Sequence, residues 1–165
     1  MIRLRRFAEG DWPLLVALNA PEMTEHLGGP ETDEALRKRY ERYLAAADSE
    51  TVFCYTAVLE PEGVAVGNIN FWEREWEGTK VYEMGWGVVP EYQGRGLASE
   101  AVKEAIELAR ATGRHDSIHA FPSVENGPSN AICRKAGFEL VGPRQFEYPK
   151  GHWMECNDWR FVLRQ

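Results

Sequence analysis

The sequence predicts a single α/β domain: a mixed sheet of about seven strands with helices packed against it. Three observations lead there. Runs of alternating apolar residues are interleaved with helical periodicities, in the order β-α-α-β-β-β-α-β-α-β-β. The chain has 165 residues, a length suited to one core. Its composition, 44% hydrophobic and 27% charged, is globular rather than disordered.

Each element has a local cause. "MIRLRRF" alternates and reads as a first strand. Asp11 is placed to cap a short helix carrying Trp12, Leu15 and Leu18, with Pro13 in its first turn. In "PETDEALRKRYERYLAAA", Leu36, Tyr40, Tyr43, Leu44 and Ala47 recur at helical spacing, with acids crowding the start as the helix dipole prefers. "TVFCYTAVLE" and "VAVGNINFW" read as strands joined by a "PEG" turn. "EREWEGT" reads as a charged loop before the strand "KVYEMGWGVV". The next helix has an apolar face of Leu97, Ala101, Val102, Ala105, Leu108 and Ala109, and Gly113 is suited to end it in a left-handed turn. "SIHAF" is a short strand, and "NGPSNAICRKAG" a short helix that stops at Gly137. "FELVGPRQF" and "WMECNDWRFVL" close the sheet.

Bulk chemistry excludes several functions. No apolar run reaches the ~20 residues of a membrane span. The N-terminus has no signal-peptide apolar block, so the expected location is cytoplasmic. Three separated cysteines and four histidines match neither a disulfide frame nor a metal-ligand spacing. The net charge of −7 argues against nucleic acid as a partner.

The stretch "PEYQGRGLASEAVKEA" passes from strand to helix through two glycines and no capping side chain. Glycine lets main-chain amides approach a ligand, and the first helical turn offers unpaired N–H groups at the positive end of its dipole. The amides of Gly94, Arg95, Gly96, Leu97, Ala98 and Ser99 could converge on a pyrophosphate, with Arg95 adding charge. A plain tight turn fits the glycines equally well. No G-K-[ST] follows, which counts against an ATP-binding loop.

Gln93-Gly94-Arg95-Gly96-Leu97-Ala98 resembles the Q/R-x-x-G-x-G/A signature of the GNAT superfamily of N-acetyltransferases. The later run from Asn126 through Ser129 and Asn130 to Lys135, Gly137 and Phe138 resembles its second signature, N-x-x-S…K-x-G-F. "FEYPKGHWMECNDWRFVL" is similar to the last hairpin of the ribosomal-protein-alanine (Rim-type) branch. The resemblance covers essentially residues 1–165 as one N-acetyltransferase domain. It implies helices on both faces of the sheet, a splay between the fourth and fifth strands, and acetyl-CoA as co-substrate, with no metal. Gln93 to Ser99 would hold the pyrophosphate, Val88 and Val89 would pair with the pantetheine, and Asn126 and Ser129 would line its other side.

Acetyl transfer needs a neutral amine, a stabilised oxyanion and a protonated leaving thiolate. An α-amine near pKa ~8 is about one-tenth neutral at pH 7, whereas a lysine near ~10.4 is neutral roughly once in 2,500. Two carboxylates are candidates for the base. Glu83 is the only charge in its apolar strand and shares a face with Gly85 and Gly87 by alternation. Glu147 lies in the hairpin where Rim-type enzymes carry a glutamate. The oxyanion donor is expected near Gly87–Val89. Relatives carry a tyrosine acid where this chain has Cys133, so the resemblance assigns the acid to Ser129 instead. Trp72, Trp76 and nearby glutamates suit an ammonium, or simply an exposed loop. The acceptor expected is a primary amine, either a protein or peptide N-terminus or a small molecule; the alternative is a non-catalytic acyl-CoA-binding module. Exposed strand edges would allow a homodimer.

Overall fold

The computed structural model describes residues 1–147 and 150–164. Tyr148 and Pro149, in the stretch that resembles the Rim-type hairpin, lie outside the described residues, as does Gln165. The elements run β1 (Ile2–Arg6), α1 (Trp12–Leu18), α2 (Pro21–Thr24), α3 (Asp33–Ala45), β2 (Val52–Leu59), β3 (Val64–Trp76) and β4 (Thr79–Val88). Then come α4 (Leu97–Thr112), β5 (Ser117–Ala120), α5 (Gly127–Ala136), β6 (Glu139–Glu147) and β7 (Trp153–Val162). The seven strands form one sheet in the order β1-β2-β3-β4-β5-β7-β6. Only the β4–β5 pair is parallel. Among the described residues no helix is long and apolar enough to cross a membrane.

Strand alternation builds two cores, one on each face. Phe53 and Tyr55 of β2 join Ile69, Phe71, Tyr82, Met84 and Ile118 in the larger one. α4 packs there through Ala101, Val102, Ala105, Ile106 and Ala109, whose three alanines permit close approach. Ile106 takes the buried place expected of Leu108, which is exposed because it falls off this i, i+4 stripe. Cys54, between Phe53 and Tyr55, faces the other way and joins Phe7, Leu15 and Leu36 under α1 and α3. Tyr40 and Tyr43 of α3 meet the Phe7 ring edge-on at 5.9 and 5.3 Å. Each fully buried aliphatic or aromatic side chain contributes about 1.5–3 kcal/mol.

Two expectations need correction. β3 does not stop at Trp72: it continues through Glu73, Arg74, Glu75 and Trp76 and turns back at Glu77–Gly78. Both turn residues have positive φ, 48° and 82°, as a tight two-residue hairpin demands. Asp11 stands at the start of α1 but its side chain makes no cap. It instead accepts from Arg5 Nη1 and Nη2 at 2.8 and 2.9 Å, from the Ala8 amide at 2.9 Å, and from Thr56 Oγ1 at 2.7 Å. Four donors on one buried carboxylate tie β1, α1 and β2 together.

Burial alone would raise the Asp11 pKa, but the Arg5, Ala8 and Thr56 hydrogen bonds outweigh it and hold the carboxyl below its ordinary value. Its contribution to stability is therefore complete above about pH 4 and is lost as pH falls through the folded-state value. Removing one partner of a buried pair costs about 3–5 kcal/mol, and the partly exposed Arg5 reduces this, so Asp11→Ala should cost about 2–3 kcal/mol at pH 7. Urea denaturation at pH 7 and at pH 3 checks this; the gap between the two proteins should narrow at the lower pH.

Candidate active site

The sheet opens between β4 and β5. Their pairing covers only Tyr82–Ile118, Glu83–His119 and Met84–Ala120, while β4 runs on to Val88. On its other side β4 stays paired with β3 as far as Gly67–Val88. Gly67 makes this contact close: a Cβ there would lie 2.2 Å from the Gly87 carbonyl oxygen. The Val89 amide donates to Val66 O at 2.9 Å. Antiparallel alternation then commits Gly85 and Gly87 to β3 and turns the main chain of Trp86 and Val88 toward the gap. Of the expected pair Val88 and Val89, only Val88 turns its amide to the gap, as Trp86 does; the Val89 amide is spent on Val66. The Val88 carbonyl is already covered by Gln93 Nε2 at 2.9 Å.

At the mouth of the gap, Gly94 and Gly96 both have φ +78°, and a Cβ on either would meet nothing within 4 Å. Gly96 is the left-handed N-cap of α4, without a side-chain cap. The first helical bond is Glu100 N–H to Gly96 O at 3.2 Å. Among the described residues, the amides of 94 to 99 form no hydrogen bond, as expected of a helix start that is left for an anion. Arg95 is exposed, its guanidinium carbon 5.0 Å from the Tyr92 ring centre. Across the gap, Asn126 caps α5 by accepting from the Ser129 amide at 3.1 Å, and Ser129 is half-buried in that first turn.

Asn130, named in the sequence only as part of the second signature, emerges as an organiser. Its Nδ2 donates to Ser123 O and Asn126 O at 2.9 and 2.7 Å. Its Oδ1 accepts from Asn157 Nδ2 and Trp159 Nε1 at 2.9 and 2.8 Å. The loop before α5 is thereby bound to β7 rather than to β4.

Glu83 lies on the face that also carries Gly85 and Gly87, as alternation predicts. That face is not empty. The Trp72 ring lies 3.6 Å from a Cβ built at Gly85, while Leu18 of α1 and Met23 of α2 cover Gly87 at 3.3 and 3.7 Å. Arg74 Nη1 donates to Glu83 Oε1 at 2.5 Å. Burial pushes the Glu83 carboxyl above its ordinary value despite Arg74, which pulls the other way. Beside Glu83, His119 Nδ1 is 2.6 Å from Asp158 Oδ1, and Trp76 Nε1 donates to Asp158 Oδ2 at 3.1 Å. Burial alone would raise Asp158, but these bonds hold its carboxyl below the usual range. Of the two readings of Trp72, Trp76 and their glutamates, the exposed loop is corrected: Trp76 is on β3, donates to Asp158 and lies against Arg74.

Glu147 does not join Glu83. Phe146 contacts Trp76 and Phe121 on the Glu83 face, so Glu147 points to the opposite face. There its Oε2 accepts from the Gly151 amide at 3.0 Å. Cys133 is fully buried, and burial pushes its thiol up to about 12, which keeps it protonated and inert.

The anion-ready turn and the Val88 amide lie at the gap, and Glu83 lies farther back on the paired part of β4. Known proteins resemble this chain in sequence and fold. An uncharacterised N-acetyltransferase of Bacillus subtilis, YnaD, is 31% identical over 105 residues, which is 64% of this chain and 58% of that protein. The chain thus spans under two thirds of that relative's length. A GNAT-family acetyltransferase from Bacillus anthracis superposes with a TM-score of 0.79 at 23% identity, over 98% of this chain and 95% of the other. Spermidine N-acetyltransferase from Vibrio cholerae, solved with CoA and spermine, gives 0.79 at 16% identity over the same shares. At these identities the two structures establish the fold. The decisive match spans residues 2–139, which fit the acetyltransferase (GNAT) domain, and the chain belongs to that family.

Proposed function

We propose that this protein transfers the acetyl group of acetyl-CoA to a primary amine by direct attack of the amine on the thioester. The observation that carries the reading is the row of unpaired amides from 94 to 99 at the mouth of the β4–β5 gap, with Glu83 beyond it. Two left-handed glycines without a Cβ, six free amides and a helix dipole suit a pyrophosphate. The bare edge of Trp86 and Val88 suits an amide-bearing chain lying along β4. Bound acetyl-CoA supplies an activated acyl carbonyl.

The chain's own residues do the rest. Glu83 accepts the proton that the acceptor ammonium must lose, and a carboxyl raised by burial is a better base than an exposed one. The Val88 amide, free of β3, is the candidate donor to the developing oxyanion. Ser129 Oγ, on the first turn of α5, is the candidate proton donor to the departing thiolate. Leu18, Met23 and Trp72 cover the glycine face and limit water beside Glu83. An α-amine, already partly neutral at pH 7, asks less of this base than a lysine does.

Two outcomes test the reading. Gly96→Trp should weaken CoA binding at least 100-fold by calorimetry, because the indole would fill the anion cradle. Its melting temperature should fall by only a few degrees: the site is exposed, but a tryptophan at the left-handed φ of residue 96 costs about 1–2 kcal/mol of strain. Unaltered affinity would refute the cradle. Glu83→Gln should lower kcat/KM about 100-fold. The wild-type rate should fall as pH drops through the Glu83 pKa, above the ordinary 4.5, because only the ionised base works. That acid limb should vanish in Glu83→Gln; a profile that keeps it would exclude Glu83 as the base.

A further inference from the structure

Arg74 lies over three mutually packed aromatic rings, which with Glu83 make a half-open box around its guanidinium. Its guanidinium carbon lies 5.0 Å from the ring centre of Trp76, 5.2 Å from Phe121 and 5.1 Å from Phe146. The fourth side is Glu83, in contact at 2.5 Å. The rings come from β3, from the residue after β5 and from β6, so the fold converges on this point from three segments. The rings brace one another and are held from outside as well. Trp76 and Phe146 stack with centres 5.4 Å apart, Phe121 stacks on His119 at 5.8 Å, and Trp76 is held by Asp158. Rings and a carboxylate around one point form a general site for an organic cation. Here the protein's own guanidinium occupies it.

We infer that Arg74 determines acceptor specificity: as a built-in cation filling the box beside Glu83, it selects acceptors with one amino group over those with a second cation nearby. The inference rests on the reading of Glu83 as the base that receives an amine. A diamine whose first nitrogen reaches Glu83 brings its second ammonium to a box already filled and a carboxylate already paired. Two like charges ~6 Å apart at an effective dielectric of ~20 repel enough to weaken binding about 100-fold, and the Glu83 charge reduces this. A tenfold or greater bias remains the expectation. A monoamine, or a peptide α-amine without a neighbouring cation, meets no such penalty.

The test compares 1-aminobutane with 1,4-diaminobutane, equal in length and different by one ammonium. Free thiol released from acetyl-CoA is followed with wild type, Arg74→Met and Arg74→Lys. The wild type should favour the monoamine at least tenfold in kcat/KM. Arg74→Met should erase that preference, mainly through a lower KM for the diamine, and Arg74→Lys should keep it. Equal use of both amines by the wild type, or an unchanged ratio in Arg74→Met, would overturn the inference.

A second measurement reads the box without catalysis. Methylguanidinium titrated calorimetrically should bind Arg74→Ala at millimolar concentration and the wild type at least tenfold more weakly. A variant that opens no such site defeats the inference even where turnover is sound. CoA affinity within threefold of wild type shows that each variant is folded. A protein that binds CoA and methylguanidinium as described but acetylates neither amine would overturn the amine-acceptor reading, and the specificity role with it.

Discussion

The structure depends on one divergence: β4 and β5 pair for three residues and then part. β5 cannot follow β4 further because the segment after it is claimed elsewhere. Pro122 brings no amide to a ladder, its carbonyl accepts from the Asn157 amide, and Val124 donates to Glu155 O. The Asn130 carboxamide then fastens Ser123 and Asn126 to Asn157 and Trp159. All four of its hydrogen-bonding positions are used, so this half-buried polar knot is satisfied and directional. β5 is drawn toward β7, β4 stays with β3, and the main chain of Trp86 and Val88 is left facing a slot.

Charge is divided along that slot. At one end, α4 starts with bare amides and the positive pole of a helix, which favours an anion. Behind the other, the Glu83–Arg74 ion pair and the His119–Asp158 hydrogen-bonded pair lie side by side against aromatic rings. An acidic chain repels a polyphosphate at long range, so the proposed pyrophosphate site relies on the local field at residues 94 to 99. Main-chain dipoles do so without side chains that would need to be ordered first.

Much of this was legible in the residues. Alternation placed Glu83 with Gly85 and Gly87, and Gly113 and Gly137 marked helix ends that indeed adopt left-handed geometry. The glycine turn could be read because conformational demand leaves a mark on composition. The rest was hidden for physical reasons. "WEREW" looks like a charged loop, yet its alternation puts Trp72, Arg74 and Trp76 on one face and the glutamates on the other. The charge of Arg74 masked a strand because its neutralising partner, Glu83, arrives from β4. Asp11 looked like a cap because Arg5 and Thr56 approach it only after the sheet forms. Glu147 lies on the face opposite Glu83, a matter of register that no single residue reveals.

The contact at Gly67 carries a consequence for the width of the slot. A methyl group there would stand 2.2 Å from the Gly87 oxygen, far inside any tolerated separation. Relief requires β3 and β4 to move apart, and β4 has only the slot to move into. The gauge of the channel is therefore set from outside it, by an atom that is missing on the neighbouring strand. Variation at residue 67 would narrow the passage without altering any group that lines it.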